Sequence, residues 1–134
     1  MGKRAEKALE LHGKGYNCSQ SVACAFSDLT DMSAEDMFKV MEGFGAGMGG
    51  MRGTCGAISG AIAIVGMINS KGSSQVKSKV DTYQMARKIV AKFEEKNGAT
   101  ICGELKGIET KKVLRSCDGC IQDAAEILEE VLGE

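Results

Sequence analysis

The stretch that most constrains the fold runs from Gly43 to Ser70, where a glycine-dense loop leads into a segment without charges. From Ala57 to Ile68 every side chain is apolar or very small, so no face is set aside for water. A helix that is apolar on all sides belongs in the core of a protein. The chain is therefore predicted to fold around a buried central helix at about residues 54–70.

The same segment raises the question of a membrane span. Glycine, serine and threonine dilute it, and its truly apolar part is shorter than the roughly 20 residues that a bilayer requires. The N-terminal sequence MGKRAEKALELHGKG has no apolar core of the kind found in export signals. We therefore expect no stable membrane insertion and a cytoplasmic location.

Composition favours helices and narrows the function classes. Hydrophobic residues make up 43% of the chain, only 4% are aromatic, and proline is absent. The 134 residues suffice for one core, so we predict an all-α fold, a compact single-domain helical bundle over residues 1–134. The 17 basic and 18 acidic residues are mixed along the chain and leave no basic patch for nucleic acid. No Ser-His-Asp set supports a hydrolase.

Capping residues indicate where the other helices begin. The first helix is predicted over residues 2–14. The candidate caps of the later helices are Asn17, Ser33, Ser73 or Ser74, Thr100 and Ser116. The side chains predicted to point inward from the long helix after Ser74 are Val76, Val80, Tyr83, Ala86, Val90 and Phe93.

Cysteines recur at these predicted helix starts. Four of the six, Cys18, Cys55, Cys102 and Cys117, fall within the first turn of a predicted helix. Unpaired backbone N–H groups and the helix dipole stabilise negative charge there, so a thiol ionises more easily. Because the thiolate is both the nucleophile and the metal ligand, this placement suits redox chemistry and metal coordination alike.

Spacing separates the cysteines further. Cys117-x-x-Cys120 is the short-range pair, an arrangement in which one thiol attacks and the other resolves. Cys117 is predicted on the buried stripe of the last helix and Cys120 at its edge. Cys24 lies off the stripe that carries Cys18 and is the least suited to join a site. His12 stands near the end of the first helix, where the dipole favours a cation.

The ensemble of motifs resembles the C_GCAxxG_C_C family of redox-active proteins. The family signature Cys-Gly-Ala-x-x-Gly stands here as Cys55-Gly56-Ala57-Ile58-Ser59-Gly60. The other family cysteines match Cys18, Cys102 and Cys117. The resemblance implies a redox role for these four residues, with Cys24 and Cys120 additional to the family pattern.

Three hypotheses follow. The leading one is a thiol-disulfide redox protein, either an oxidoreductase or an electron-transfer protein working with a partner protein, whose candidate catalytic residues are Cys18, Cys55, Cys102, Cys117 and Cys120. It requires no cofactor. The second is a module that binds zinc or an iron-sulfur cluster through the first four of these cysteines. The third is a non-catalytic interaction protein, such as a homodimer formed through a methionine-rich or glycine-rich face.

Overall fold

The computed structural model describes residues 2–133, and this part of the chain is all-α, as predicted. Its helices are α1 (Lys3–Gly13), α2 (Cys18–Ala25), α3 (Ala34–Met41), α4 (Gly56–Asn69), α5 (Lys79–Asn97), α6 (Cys102–Lys106) and α7 (Cys117–Leu132). Extended pairing within residues 2–133 amounts to one isolated antiparallel bridge between Thr54 and Ile101.

Helix α4 is the central helix, and it packs against α2, α5 and α7. Its buried side chains are Ala57, Ile58, Ala61, Ile64 and Val65. A Cβ atom added at Gly60 would lie 2.6 Å from the carbonyl oxygen of Ser19, so the backbone of α2 passes directly over this glycine. The small residues of the segment thus allow close helix packing.

The expectation that the segment is buried along its whole length is wrong at its C-terminal end. Met67 and Ile68 are exposed, the latter by 39%. Gly66 has open space around it, unlike Gly60. The neighbouring helices therefore cover the first part of α4 and leave Met67 and Ile68 of its last turn exposed.

Most predicted caps are confirmed. The Asn17 side chain accepts a hydrogen bond from the Gln20 backbone N–H, and the Gln20 side-chain oxygen accepts one from the Asn17 backbone N–H, which forms a capping box. Ser33 caps α3 and Ser116 caps α7 through the same type of contact. Each cap satisfies backbone N–H groups that have no partner within the helix.

The predicted start of the long helix is wrong. A short 3₁₀ turn over Val76–Ser78 comes first, and α5 begins at Lys79 without a side-chain cap. Val76 is 66% exposed, and Val80 and Tyr83 are exposed as well. Only the second half of the predicted inward stripe reaches the core, where Phe93 is buried.

The cap predicted at Thr100 is also displaced, because Ile101 is the N-cap of α6. The backbone is extended at Ile101 and pairs with Thr54, while the Thr100 carbonyl accepts the Cys55 N–H. This segment is therefore held by its neighbour rather than by its own hydroxyl. Within residues 2–133, no helix combines the length and the hydropathy that a bilayer span requires.

Candidate functional site

Five cysteines line one cavity of about 170 Å³. Cys18, Cys102 and Cys117 are the first residues of α2, α6 and α7, Cys55 is the N-cap of α4, and Cys120 lies one turn into α7. The predicted placement of four cysteines at helix starts is thus observed, and the fold gathers all four around one space. Cys24 lies outside the cavity lining, with its thiol 3.8 Å from the Ala34 carbonyl oxygen.

A short backbone ladder holds Cys55 beside Cys102. The Cys55 N–H donates to the Thr100 carbonyl at 2.8 Å, and the Cys102 N–H donates to the Gly53 carbonyl at 2.9 Å. With the Thr54 bridge to Ile101, these bonds fasten the beginning of α4 to the beginning of α6. Two residues distant in sequence are therefore fixed by main-chain contacts.

Glycines give the sulfur atoms room to approach. A Cβ atom at Gly56 would overlap the Cys18 sulfur and would lie 2.9 Å from the Phe44 carbonyl oxygen. A Cβ atom at Gly47 would overlap the Cys102 Cβ, and the φ of Gly47, +58°, is itself in the left-handed region. The glycine-dense loop thus lets its backbone pack directly against the cysteines.

The same loop holds residues other than glycine in an unfavourable conformation. Ala46, Met48 and Met51 have φ values of 53°, 64° and 66°. Each such residue costs about 1 to 3 kcal/mol unless its surroundings compensate, and such conformations cluster at functional sites. The loop is therefore held in shape by its contacts, including those with α6.

Cys55 is stabilised as a thiolate although it is only 4% exposed. A hydrogen bond from the Cys120 thiol is the largest influence and outweighs burial, which acts in the opposite direction. The backbone N–H groups of Ala57 and Ile58 and the charge of Lys106 add to it, and together they lower the pKa of Cys55 to about 6. The surroundings of Cys55 therefore favour its ionised form.

Three neighbouring thiols have raised pKa values. The hydrogen bond to Cys55 and then burial raise the pKa of Cys120 far above its usual range. Burial also raises the pKa of Cys18 and that of Cys102. Ionisation is thus favoured at Cys55 and disfavoured at Cys120, Cys18 and Cys102.

A lysine and a histidine also line the cavity, and the sequence analysis did not assign them to the site. Burial lowers the pKa of Lys106, but a hydrogen bond with Cys117 and the nearby sulfurs raise it more, so the net shift is upward. His12 lines the cavity, with its Nδ1 atom 2.6 Å from Oδ1 of Asp118. Lys106 lies four residues after Cys102, a spacing that puts both on one helix face and was available in the sequence.

The beginning of α7 is anchored by a buried carboxylate. Asp123 is fully buried and accepts two hydrogen bonds from Arg115, one from Nε at 3.0 Å and one from a terminal nitrogen at 3.1 Å. Lys96 and Asn97 of α5 bind the same carboxylate. With the Ser116 cap, these contacts fix the first turn of α7 and hence its two cysteines.

The predicted orientation of those two cysteines is reversed. Cys120 is buried, with 1% of its surface exposed, whereas Cys117 is exposed. The reason is the helix start at Cys117, where only one side is covered by protein, while Cys120 shares the buried face with Ile121 and Ala124. Cys120 is therefore an inner member of the cluster and Cys117 an outer one.

The metal hypothesis used Cys18, Cys55, Cys102 and Cys117. In the stretch from residue 2 to residue 133, no group of three or more His, Cys, Asp or Glu side chains is arranged to hold a metal ion. The four residues share a cavity but belong to no such group in this conformation.

With this geometry in view, the chain can be compared with known proteins. The sequence model of the family described as "Putative redox-active protein (C_GCAxxG_C_C)" matches residues 16–131. The chain belongs to this family. The match covers α2 to α7 almost completely and includes all five cysteines of the cavity.

An uncharacterised protein of Archaeoglobus fulgidus is 27% identical over 136 aligned positions, which cover 93% of this chain and 90% of that protein. No solved structure matches the chain.

Proposed function

We propose that this member of the C_GCAxxG_C_C family carries out thiol-disulfide exchange, with Cys55 as the nucleophile and Cys120 as the resolving thiol. The observation that carries the proposal is the placement of two buried cysteines, Cys55 at the N-cap of α4 and Cys120 in α7, in the lining of one cavity. An ionised thiol attacks disulfides, and a second thiol in contact with it completes the exchange.

The reaction is written for a low-molecular-weight disulfide. The Cys55 thiolate attacks one sulfur, forms a mixed disulfide and releases the other sulfur as a thiolate. Cys120 then loses its proton to that thiolate and attacks the Cys55 sulfur, which releases the second substrate thiolate. The protein loses two electrons and gains a Cys55–Cys120 disulfide, and the substrate disulfide is reduced.

The size of the cavity supports a small substrate for this step. Cys55 and Cys120 are almost completely buried, and the space in front of them measures about 170 Å³. Sites for drug-sized molecules span about 300 to 1,000 Å³. A folded protein has no direct access to either sulfur.

The test is disulfide mapping after exposure to a small oxidant. The reduced protein is treated with hydroxyethyl disulfide, alkylated and digested, and its cysteine pairs are identified by mass spectrometry. We expect a Cys55–Cys120 pair in the wild type and in the Cys24→Ser control, whose mutated thiol lies outside the cavity. Recovery of both residues as free, alkylated cysteines in the wild type would refute the proposal.

Metal analysis tests the competing hypothesis on the same protein. The chain is purified anaerobically and its iron and zinc contents are measured. Metal binding would be favoured over thiol exchange if the protein contained near-stoichiometric metal and this metal protected four cysteines from alkylation, namely Cys18, Cys55, Cys102 and Cys117. Thiol exchange instead requires that these four residues be titratable as free thiols.

A further inference from the structure

We infer that Cys117 is the thiol through which the buried Cys55–Cys120 pair exchanges electrons with a protein dithiol. This inference rests on the proposed function and adds to it a route and a class of partner. In this scheme, which we call the relay, small disulfides react with the inner Cys55–Cys120 pair and a protein dithiol reacts with Cys117.

The relay follows from the different accessibility of sulfurs that line one cavity. Cys55 and Cys120 are buried, whereas Cys117 is exposed while it lines the same cavity. A disulfide partner must bring its own sulfur into line with the sulfur it attacks. A protein can therefore reach Cys117, and the inner pair must be reached through it.

Cys120 is placed to pair with either neighbour. On one side it shares the cavity lining with Cys55. On the other side, Cys117 precedes it by three residues in α7, which separates their Cα atoms by about 5 Å. Disulfides span Cα distances of about 4.4 to 6.8 Å. Cys120 is thus the middle of a chain of three sulfurs.

The internal step is a balanced exchange. The Cys117 thiolate attacks the Cys120 sulfur of the Cys55–Cys120 disulfide, the Cys117–Cys120 bond forms, and Cys55 leaves as a thiolate. A thiol with a low pKa is the better leaving group, and Cys55 is stabilised as a thiolate by the backbone N–H groups of α4. Lys106, which lines the cavity together with Cys117, places a positive charge near the attacking sulfur.

The partner then completes the reaction. One thiolate of a protein dithiol attacks the exposed Cys117 sulfur, and Cys120 leaves and takes up a proton. The second partner thiol loses its proton to solvent and attacks the mixed disulfide, which releases Cys117 as a thiolate. The partner is oxidised to a disulfide by two electrons, and the protein returns to its reduced state.

The experiment compares a protein dithiol with a small one. The protein is first oxidised with hydroxyethyl disulfide and freed of reagent. It is then mixed with either reduced thioredoxin or dithiothreitol, and the loss of its disulfide is followed. For Cys117→Ser we expect the ratio of the thioredoxin rate to the dithiothreitol rate to fall at least tenfold, and for the Cys24→Ser control we expect it to equal the wild-type ratio.

A trapping experiment identifies the entry point. A thioredoxin variant that retains only its attacking cysteine forms a mixed disulfide that is mapped by mass spectrometry, and we expect it on Cys117. A mixed disulfide on Cys55 or Cys120, or an unchanged rate ratio for Cys117→Ser, would overturn the relay. Failure of the wild type to form any cavity disulfide with the small oxidant would instead refute the proposed function.

Discussion

Cys120 of α7 and Cys55 at the N-cap of α4 are both buried, with 1% and 4% of their surfaces exposed, and line one cavity, where the interaction of their thiols joins the first turn of α7 to the start of α4. It favours the ionised form of Cys55 and the protonated form of Cys120. Two chemically identical side chains thereby acquire different properties, which is how paired titratable groups divide the roles of nucleophile and proton carrier.

Removal of the Cys120 thiol should make Cys55 a weaker acid. In Cys120→Ala the largest influence that lowers the pKa of Cys55 is lost, so we expect that pKa to rise from about 6 toward the ordinary value of 9.0. The measurement is the pH dependence of alkylation of Cys55 by iodoacetamide, followed by peptide mapping. Cys24→Ala is the matched control, and an unchanged profile in Cys120→Ala would contradict the assignment.

Lys106 should support the Cys55 thiolate more weakly. Its charge is the last of the influences that lower the pKa of Cys55, behind the Cys120 hydrogen bond and the helix N–H groups. We therefore expect Lys106→Met to raise the pKa of Cys55 by less than Cys120→Ala does, measured by the same alkylation profile. The exposed Lys88 lies outside the cavity lining, and Lys88→Met should leave the profile unchanged. A larger effect of Lys106→Met than of Cys120→Ala would reverse this ranking.

The ionisation of Cys55 should also appear in the pH dependence of stability. Its pKa is lowered in the folded protein, so its contribution to stability is fully present above the unfolded pKa near 9.0 and is lost as the pH falls through about 6. We expect the difference in the free energy of unfolding between wild type and Cys55→Ala to increase between these two pH values. The slope cannot exceed about 1.4 kcal/mol per pH unit for one proton.

Urea unfolding under reducing conditions measures this difference at several pH values. The comparison stops near pH 9 because the raised pKa values of Cys120, Cys18 and Cys102 make stability fall as the pH increases further. A difference that is constant or decreases over this interval would show that Cys55 is not ionised preferentially in the folded state.

Local signals explain which parts of the fold could be predicted. Three caps accept hydrogen bonds from backbone N–H groups a few residues later in the chain, namely Asn17, Ser33 and Ser116. A short stretch of sequence is therefore enough to predict these helix starts. Val76 and Val80 show the limit of periodicity, since their spacing suits a helix face but no neighbouring element covers that end of α5. Whether a side chain is buried depends on the element that packs against it, and the sequence of one helix does not identify that element.

In the candidate site, too, some features follow from local sequence and others depend on how the helices pack. Local patterns predicted that four cysteines stand at helix starts, namely Cys18, Cys55, Cys102 and Cys117. In the structure these four residues line one cavity. The contact between Cys120 and Cys55 did not follow, because it depends on how α7 packs against α4. Asp123, which also binds Arg115, fastens α7 to α5 through contacts that no short motif reveals.

Two glycines of α4 provide a matched test of its close packing. A Cβ atom at Gly60 would lie 2.6 Å from the Ser19 carbonyl oxygen, a backbone atom that cannot move aside without shifting α2, whereas Gly66 has open space around it. Gly60→Ala should therefore destabilise the protein by about 1 to 3 kcal/mol. Gly66→Ala should stabilise it by about 0.5 to 1 kcal/mol, because alanine loses less backbone entropy in a helix. Chemical denaturation of both variants measures the difference. Equal stabilities of the two variants would show that α2 does not press on α4 at Gly60.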